Sequence, residues 1–526
     1  MRSVLAMTAV TVLASAAAGQ EPAPPRPARA IPIIDTIAVL TGDVFQPEEV
    51  QLNPTYGAMN GLHIKTRPSV VRRELLFKQG EPYDSAKVAE TRRNLNRLGL
   101  FRAVQVDTVT SGGRFVVVVQ TLDVWTTGVG LNARSTGGTF TWSVTGSEAN
   151  LLGTGNSIQM GYNHDVDRNF YSVGAGTRRL LGTGADGSLS YRKYSDGHSF
   201  GGTVTSPFRS FSDRSSYSFS GVTTSARVLQ FRDGRRFDSL HLENQRVTVR
   251  VDFAPVARTS HYVRAGLIAQ VRNERLARIR GPVPALPDSV TAAVGVGLDV
   301  RQSRFKVVTH YNGFARDEDI DLGARLTGQV MAAPRAFGYQ RNGVGLWGSG
   351  QVGVPLGDSF LRLVVRAGGL FTGVGLDSGG ASGTFVTAIR VIPRQPTIFY
   401  LSGGILKNPA PGSEFDLGHS GSGPRAFGPH AYSGTRMLWG TIEHRVFLID
   451  EVLSVFGVGF AAFLDYGGAW YGDEPARKGG NVGFGLRLGP TRATGTNLGR
   501  FDVAYKFGDG VTGGRWVFSF GRSFTY

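Results

Sequence analysis

The residues that usually perform catalysis or bind metals form no recognisable set in this sequence. The chain has nine histidines, whose spacing does not match a metal site, and no cysteine that could supply a thiolate. The stretch GHSGSG fails the nucleophile-elbow pattern because Ser422 stands where a glycine is required. The acidic stretch Arg316–Asp321 offers oxygen ligands for calcium, although a solvated loop tip is the simpler interpretation. We therefore expect a protein that is not an enzyme and binds no metal or other cofactor.

From residue 123 to residue 526 the chain consists mainly of short stretches in which apolar and polar residues alternate. In TTGVGLNAR, Val129 and Leu131 share one face, while Gly128 and Gly130 share the other. Turn sequences separate such stretches, and 73 glycines suit strands and tight turns better than helices. Strands that are apolar outside and polar inside predict a transmembrane β-barrel, which satisfies every backbone hydrogen bond within a bilayer. At about ten spanning residues per strand plus a connection, we expect about sixteen antiparallel strands; a soluble sandwich or propeller is the alternative.

One carboxylate of this region lies where its charge needs a partner. The alternation in VGFAAFLDYGGAWY places Leu464 on the lipid side and both Phe463 and Asp465 on the lumen side. A carboxylate in that position requires a cation or water, because an isolated buried charge is costly. Glu443 and Arg445, in a neighbouring stretch, are further candidates for the lumen wall.

The first thirty residues predict export. Residues 1–19 combine a basic start, an apolar run and small residues where a peptidase could cut, which predicts a signal peptide; a true membrane helix is the alternative. Residues 20–30 are rich in proline and predict an extended linker. Beyond the signal, no stretch approaches the roughly twenty apolar residues that a spanning helix needs.

Residues 31–122 follow a different period and predict a small α+β domain with the order β-α-α-β-β. IDTIAVL predicts a strand and SVVRRELLF a short helix. Asp84 or Ser85 can cap a second helix, which ends at Gly99. FRAVQVDTV and GRFVVVVQT predict two strands joined by a turn.

The segment VVRRELLFKQGEPYDSAKVAETRRNLNRLGLFRAVQVD resembles a POTRA domain, the periplasmic module of the Omp85 superfamily. That superfamily includes outer-membrane assembly factors of the BamA and TamA type and two-partner secretion transporters. The resemblance covers one module, with an insertion at residues 51–60. It implies that residues 31–122 lie in the periplasm and that residues 123–526 form an outer-membrane barrel of the bacterial surface antigen type. The positions that carry it are Gly80, Tyr83, Asp84, Leu98, Gly99 and Phe101.

A second stretch, PRAFG, resembles the superfamily's Val-Arg-Gly-Phe/Tyr loop motif. Arg425 takes the arginine position and Phe427 the aromatic position, while a proline and an alanine replace the aliphatic residue and the glycine. Phe463 and Asp465 match the family's Phe-x-Asp strand motif. The resemblance implies that a long extracellular loop folds back into the lumen. Because arginine is a planar, bidentate donor, we predict an Arg425–Asp465 pair that latches this loop; an exposed loop arginine is the alternative.

The chain ends in RWVFSFGRSFTY, a period-two stretch with aromatic rings on one face. It resembles the outer-membrane β-signal, by which an assembly machinery captures the last strand of a barrel. The terminal ring then anchors the strand at the periplasmic interface. The positions that fit the signal are Ser519, Gly521, Phe524 and Tyr526.

Charge suggests a membrane partner. The chain has 57 basic and 40 acidic residues, a formal charge of +17. An exported protein rarely meets nucleic acid, so we expect no nucleic-acid partner and contact with outer-membrane lipid or lipopolysaccharide instead. A merely solvated basic surface is the alternative.

The resemblance implies an assembly factor that inserts proteins into the outer membrane. The POTRA domain would receive unfolded outer-membrane or exported proteins by strand addition, with accessory periplasmic proteins as further partners. The gate would be the seam between the last strand and the first strand, in which Gly128 and Gly130 leave little side-chain packing. A two-partner-type secretion pore and a structural or receptor barrel without a transport role are the alternatives.

Overall fold

The computed structural model describes residues 31–136, 139–258, 260–281, 289–418, 423–492 and 498–522. The predicted signal peptide and linker, together with Phe524 and Tyr526, lie outside the described residues. The helices are α1 (Pro47–Leu52), α2 (Pro54–Leu62), α3 (Pro68–Arg73) and α4 (Ser85–Arg97), with 3₁₀ turns at Leu180–Gly182 and Arg335–Phe337.

The strands divide between a small N-terminal sheet and a large barrel. The N-terminal strands are β1 (Thr36–Gly42), β2 (Phe101–Ser111) and β3 (Arg114–Asp123). The remaining strands are β4 (Thr127–Thr136), β5 (Thr139–Leu151), β6 (Asn156–His164), β7 (Asn169–Thr177), β8 (Asp186–Tyr194), β9 (Gly197–Ser206), β10 (Ser215–Arg232), β11 (Arg235–Ala257), β12 (His261–Arg280), β13 (Ser289–Gln302), β14 (Phe305–Val308), β15 (Glu318–Asp321), β16 (Ala324–Ala333), β17 (Gly343–Leu356), β18 (Ser359–Thr372), β19 (Gly375–Ile392), β20 (Gln395–Lys407), β21 (Phe415–Leu417), β22 (Tyr432–Gly434), β23 (Arg436–Val452), β24 (Phe456–Trp470), β25 (Gly479–Pro490), β26 (Gly499–Gly508) and β27 (Trp516–Arg522).

The N-terminal domain is a three-stranded sheet of order β1-β3-β2, in which β1 runs parallel to β3 and β2 antiparallel to it. Helices α3 and α4 contribute Val71 and Leu95 to a core with Val117 of the sheet. Helix α4 begins at Asp84 because the carboxylate of this residue accepts the backbone N–H of Ala86 at 2.8 Å.

The insertion at residues 51–60 forms the end of α1 and most of α2, so the domain has four helices rather than the two predicted. Tyr56 stacks on Phe45 with ring centroids 4.3 Å apart, and its hydroxyl donates to the carbonyl of Leu453 at 2.7 Å. Leu453 lies in the turn between β23 and β24. The insertion therefore packs the domain against one end of the barrel, here called the proximal end; the opposite end is the distal end.

Twenty antiparallel strands form the closed barrel: β4 to β13, β16 to β20 and β23 to β27. The predicted fold class is confirmed, but the expected count of about sixteen strands is wrong. The expectation assumed long connections, whereas strands β6 to β9 are only nine or ten residues long and a two-residue turn joins β8 to β9. Shorter hairpins place more strands in the same length of chain.

Alternation assigns one face of each strand to the outside and one to the lumen. Val129, Leu131 and Phe518 are 76%, 70% and 68% exposed on the outer face, whereas Asp465 on the inner face is 0% exposed. An exposed apolar outer face suits lipid, and a polar inner face suits an aqueous or hydrogen-bonded lumen. Among the described residues, the longest helix is too short and too polar to cross a bilayer.

Two connections fold into the lumen instead of remaining at its rims. Residues 408–435, here called the latch loop, enter from the distal end and contain the β21–β22 hairpin. Residues 303–323, here called the plug hairpin, enter from the proximal end and contain the β14–β15 hairpin. The two segments bring side chains to the inner faces of the last barrel strands.

We predict that Asp84→Ala weakens the first turn of α4 by about 1 kcal/mol, because two backbone N–H groups lose their acceptor. Hydrogen exchange of the full chain in detergent should show faster exchange at the start of this helix. Asp107→Ala, an exposed substitution on β2 of the same domain, is the control and should leave this exchange unchanged. Equal protection of α4 in both variants would contradict the prediction.

Candidate functional site

The inner faces of β23, β24 and β25 place a carboxylate between two polar neighbours. In the strand register, Asp465 on β24 stands opposite Thr441 on β23 and Asn481 on β25. The hydroxyl of Thr441 donates to Asp465 Oδ1 at 2.6 Å, and the side-chain amide of Asn481 donates to Oδ2 at 2.9 Å. These donors orient the carboxylate but carry no positive charge.

Arg425 of the latch loop supplies that charge. Its Nε and Nη2 donate to the two carboxylate oxygens of Asp465 at 2.8 Å and 2.9 Å, and its Nη1 donates to Glu443 at 2.7 Å. The guanidinium carbon also lies 3.8 Å from the ring centroid of Phe463, within the range of a cation–π contact. The structure therefore places Arg425 against Asp465, as the loop motif predicts, and buries both side chains.

The pair belongs to a larger buried network. Glu443 accepts a hydrogen bond from Arg445 at 2.8 Å and lies 3.5 Å from Arg487. Asp502 accepts from Arg487 at 2.6 Å and from Arg500 at 3.0 Å. Together with the latch pair, this ion-pair cluster holds four guanidinium groups and three carboxylates, a net charge of +1. Buried charges of this kind are stable only while every member keeps its partner.

Sequence reasoning found part of this cluster. It predicted Asp465 and Arg425 and suggested Glu443 and Arg445, but it missed the members on β25 and β26. The missed residues are Asn481, Arg487, Arg500 and Asp502. The sequence did contain a signal for two of them, because Arg487 and Asp502 are charged residues at alternating, lumen-facing positions between apolar neighbours in GLRLG and RFDVA.

The tip of the latch loop contacts the end of the barrel sheet. Phe427 packs on Tyr432 with ring centroids 5.2 Å apart. Ala426 belongs to a buried apolar cluster with Phe463 on β24, Ala504 on β26 and Val517 on β27. The loop therefore rests on the inner face of the last strand.

The base of the loop has a second ionic anchor near the distal rim. His430 lies between two carboxylates, 2.8 Å from Asp167 and 2.5 Å from Asp416, and its ring stacks on Phe231 with centroids 3.4 Å apart. Burial alone would lower the pKa of His430, but the hydrogen bonds and charges of the two carboxylates outweigh it and raise the pKa to about 9. The imidazole is therefore charged at neutral pH.

The plug hairpin reaches the cluster from the other side. Arg445 donates from Nη1 to the backbone carbonyl of Tyr311 at 2.6 Å. Phe314 packs edge-on against Phe447 of β23 with centroids 4.9 Å apart. The cluster is thus enclosed between the latch loop on its distal side and the plug hairpin on its proximal side.

The acidic stretch of the plug hairpin is folded rather than solvated. Glu318 accepts the backbone N–H groups of Tyr311, Asn312 and Gly313 at 3.2 Å, 2.8 Å and 3.2 Å. Burial raises the pKa of Glu318 despite these donors. The described residues contain no group of three or more histidines, aspartates or glutamates placed to hold a metal ion.

The predicted POTRA positions perform structural tasks in the N-terminal domain. Gly80 adopts φ +85° and Gly99 φ +68°, the left-handed region that favours glycine. Tyr83 packs edge-on against Phe115, with centroids 5.4 Å apart. Phe101 is buried in the core, and Leu98 packs against that core from the end of α4.

Two α4 residues that sequence reasoning missed dock this domain onto the barrel. The buried carboxylate of Glu90 accepts the Phe211 backbone N–H at 2.8 Å and the Ser210 hydroxyl at 2.9 Å. Asn94 donates to the Arg209 carbonyl at 2.7 Å.

The predicted seam residues lie on the two strands that close the barrel. Gly128 and Gly130 are on β4, opposite Ser147 and Thr145 of β5. Ser519 and Gly521 are on β27.

Between β27 and β4 the described residues show one register pair, Ser519 opposite Arg134. By contrast, β26 and β27 pair continuously from Gly499 opposite Arg522 to Tyr505 opposite Trp516.

We predict that Arg425→Ala destabilises the barrel by about 3–5 kcal/mol, because it leaves the buried carboxylate of Asp465 without its cation and removes one of the three cations around Glu443. Unfolding in detergent micelles, followed by the gel mobility of the folded form, measures the change. Arg425→Lys keeps the charge and should recover part of the loss, although it cannot make the bidentate contact. Wild-type stability in Arg425→Ala would show that the pair does not hold the loop.

We predict that the distal anchor loosens at alkaline pH. The raised pKa of His430 means that its stabilising charge is fully present below the ordinary pKa of about 6.5 and is lost as the pH rises through about 9. Hydrogen exchange, corrected for its intrinsic pH dependence, should show falling protection of residues 423–435 between pH 7 and pH 10. His430→Gln is the control and should abolish this pH dependence; an unchanged profile in that variant would contradict the assignment.

Comparison with known proteins identifies the N-terminal module. Residues 59–122 match the POTRA family, described as a surface antigen variable number repeat. No curated protein matches the chain. Among solved structures, the chain is similar to BamA from Haemophilus ducreyi lacking POTRA domains 1–3, with 11% identity, coverage of 92% of this chain and 85% of that chain, and a TM-score of 0.40.

Two further solved structures are similar to this chain. CdiB from Escherichia coli shares 14% identity, with coverage of 93% of this chain and 76% of that chain and a TM-score of 0.47. CdiB from Acinetobacter baumannii shares 12% identity, with coverage of 93% and 73% and a TM-score of 0.44. A POTRA-family domain followed by a closed antiparallel barrel is the arrangement that the sequence motifs predict, and the family match itself covers residues 59–122.

Proposed function

We propose that this protein inserts client proteins into the outer membrane through the seam between β27 and β4. The observation that carries the proposal is the buried apolar cluster that Ala426, at the tip of the latch loop, forms with Phe463 of β24, Ala504 of β26 and Val517 of β27. The loop that the ion-pair cluster holds in the lumen is thereby coupled to the strand that must separate for the seam to open. A release of the loop would remove support from the inner face of this strand.

The seam has the weaker pairing that lateral opening requires. Within the described residues one register pair joins β27 to β4, at Ser519 and Arg134, so few of the described backbone pairs would have to separate. The unpaired edges could then pair with a client strand, which gains backbone hydrogen bonds without a sequence requirement.

The barrel belongs, in this proposal, in the outer membrane, with its proximal end in the periplasm. The predicted signal peptide and the exposed apolar outer face support this location. The POTRA domain then stands where unfolded outer-membrane or exported proteins arrive.

The domain also offers a strand edge to such clients. In the sheet order β1-β3-β2, strand β2 lies at an edge, and its residues from Asp107 to Ser111 are mostly exposed. An extended client segment could add to this edge by main-chain hydrogen bonding. Because the domain docks on the barrel rim through Glu90 and Tyr56, this edge is held at a fixed distance from the barrel.

A secretion pore is the second candidate, and one observation favours it. The lumen retains a cavity of about 1780 Å³ beside the latch loop, lined by strands on the far side of the barrel from the ion-pair cluster. A pore function would pass an exported partner through the lumen and would leave the seam closed.

A seam disulfide separates the two functions. The chain contains no native cysteine, so Arg134→Cys with Ser519→Cys introduces a single pair at opposed positions of β4 and β27. We predict that oxidation of this pair in cells blocks the accumulation of other outer-membrane β-barrel proteins and that reduction restores it.

Gly128→Cys with Ser147→Cys is the matched control, because it joins β4 to β5 away from the seam. Normal membrane-protein levels with the seam locked would reject insertion. Loss of a secreted partner without loss of membrane proteins would favour the pore.

A further inference from the structure

The lumen is filled on one side only. The ion-pair cluster and the two inward segments occupy the side formed by β23 to β26. The side formed mainly by β10 to β20 leaves the cavity of about 1780 Å³, and the described latch-loop residues that line it lie between positions 408 and 415. This open side is therefore structurally separate from the latch pair.

Most charged residues in the wall of the open side are arginines. Ten charged residues line the cavity, of which six are arginines and four are carboxylates, so the wall carries a net charge of +2. The six arginines are Arg250, Arg264, Arg272, Arg325, Arg341 and Arg366.

Ion pairs within the wall neutralise part of this charge. Arg250 binds Asp252 through two hydrogen bonds of 2.7 Å, and Arg325 binds Asp299 through bonds of 2.9 Å and 2.8 Å. An arginine in such a bidentate pair adds little positive potential to the cavity, because its carboxylate partner neutralises its charge.

Arg272 lies 3.6 Å from Glu274, so three of the six arginines remain for a ligand. Within the described residues, Arg341 and Arg366 have no ion-pair partner, and both side chains are exposed to the cavity. Arg264 forms no ion pair within 4 Å among the described residues; it is 9% exposed, and its Nη2 donates to the carbonyl of Ser210 at 3.3 Å. From the distal loop to the proximal end, these three side chains follow one another along the cavity.

Arg264 is also part of an aromatic stack in the cavity wall. Its guanidinium lies between two rings, 3.6 Å from the centroid of Phe208 and 3.7 Å from that of Tyr262. A second cavity of about 440 Å³ continues from Arg264 to Glu90 and Arg97 on helix α4 of the POTRA domain. The two cavities share Phe208, Arg264 and Arg325, which thus lie where the cavities meet, here called the neck.

We propose that the open side of the lumen is an anion-selective passage, independent of the latch, in which Arg341, Arg366 and Arg264 attract small anions in succession. Positively charged side chains in a confined, low-dielectric cavity focus the field, raise the local anion concentration and repel cations. The Phe208–Arg264–Tyr262 stack at the neck limits the current.

Ion permeation through the full-length protein in planar lipid bilayers tests the proposal. Under a potassium chloride gradient, the reversal potential of the wild type should show that chloride permeates better than potassium. Arg341→Gln with Arg366→Gln should lower the chloride-to-potassium permeability ratio by about half or more, because two unpaired charges leave the wall. Arg264→Ala should raise the single-channel conductance, because it widens the neck.

Two control variants test whether a change in selectivity comes from the charges that line the cavity. Arg335→Gln removes an exposed charge from the same distal connection as Arg341 but does not line the cavity, and it should leave the ratio unchanged. Arg366→Lys keeps the charge and should keep the selectivity, which shows that a loss in the glutamine variant is not a folding defect. A wild type that prefers potassium, passes no ions or loses selectivity only in Arg425→Ala would overturn the passage. The insertion proposal is unaffected by any of these outcomes, because it is tested at the seam.

Discussion

The structure depends on the constraint that charges buried in the lumen must be paired. Glu443 is fully buried and receives positive charge from three directions: Arg425 from the latch loop, Arg445 from its own strand and Arg487 from β25. Removing any one partner would leave a charge in a site with little water, which is far more costly than losing a surface pair. The ion pairs of Arg425 with Asp465 and Glu443 therefore hold the latch loop in the lumen.

This constraint divides the lumen into a filled side and an open side. The plug hairpin joins the filled side through the Tyr311 carbonyl and closes it from the proximal end, and it also reaches the POTRA domain, where Arg316 donates to the carbonyl of Phe101 at 3.2 Å. A continuous chain of contacts thus runs from the domain through the plug hairpin and the cluster to the latch loop.

The four barrel strands beyond the expected sixteen explain why one side of the lumen can be filled while the other stays open. Barrel diameter grows with strand number, so twenty strands enclose more space than the sixteen that we expected. The ion-pair cluster and the two inward segments fill the part near β23 to β26, and the remainder stays open beside β10 to β20. The arginine wall lies in this remainder.

The sequence by itself determined the class of fold, the POTRA domain and the inward direction of Asp465, because side-chain alternation and capping are local properties of the chain. It also indicated Arg425, through a motif. Tertiary structure decided the rest: the number of strands depends on connection lengths, and Arg487 and Asp502 become partners only when β25 and β26 pair. The enclosure of the cluster by the plug hairpin is likewise a long-range contact, between residues more than one hundred positions apart, and no local pattern encodes such contacts.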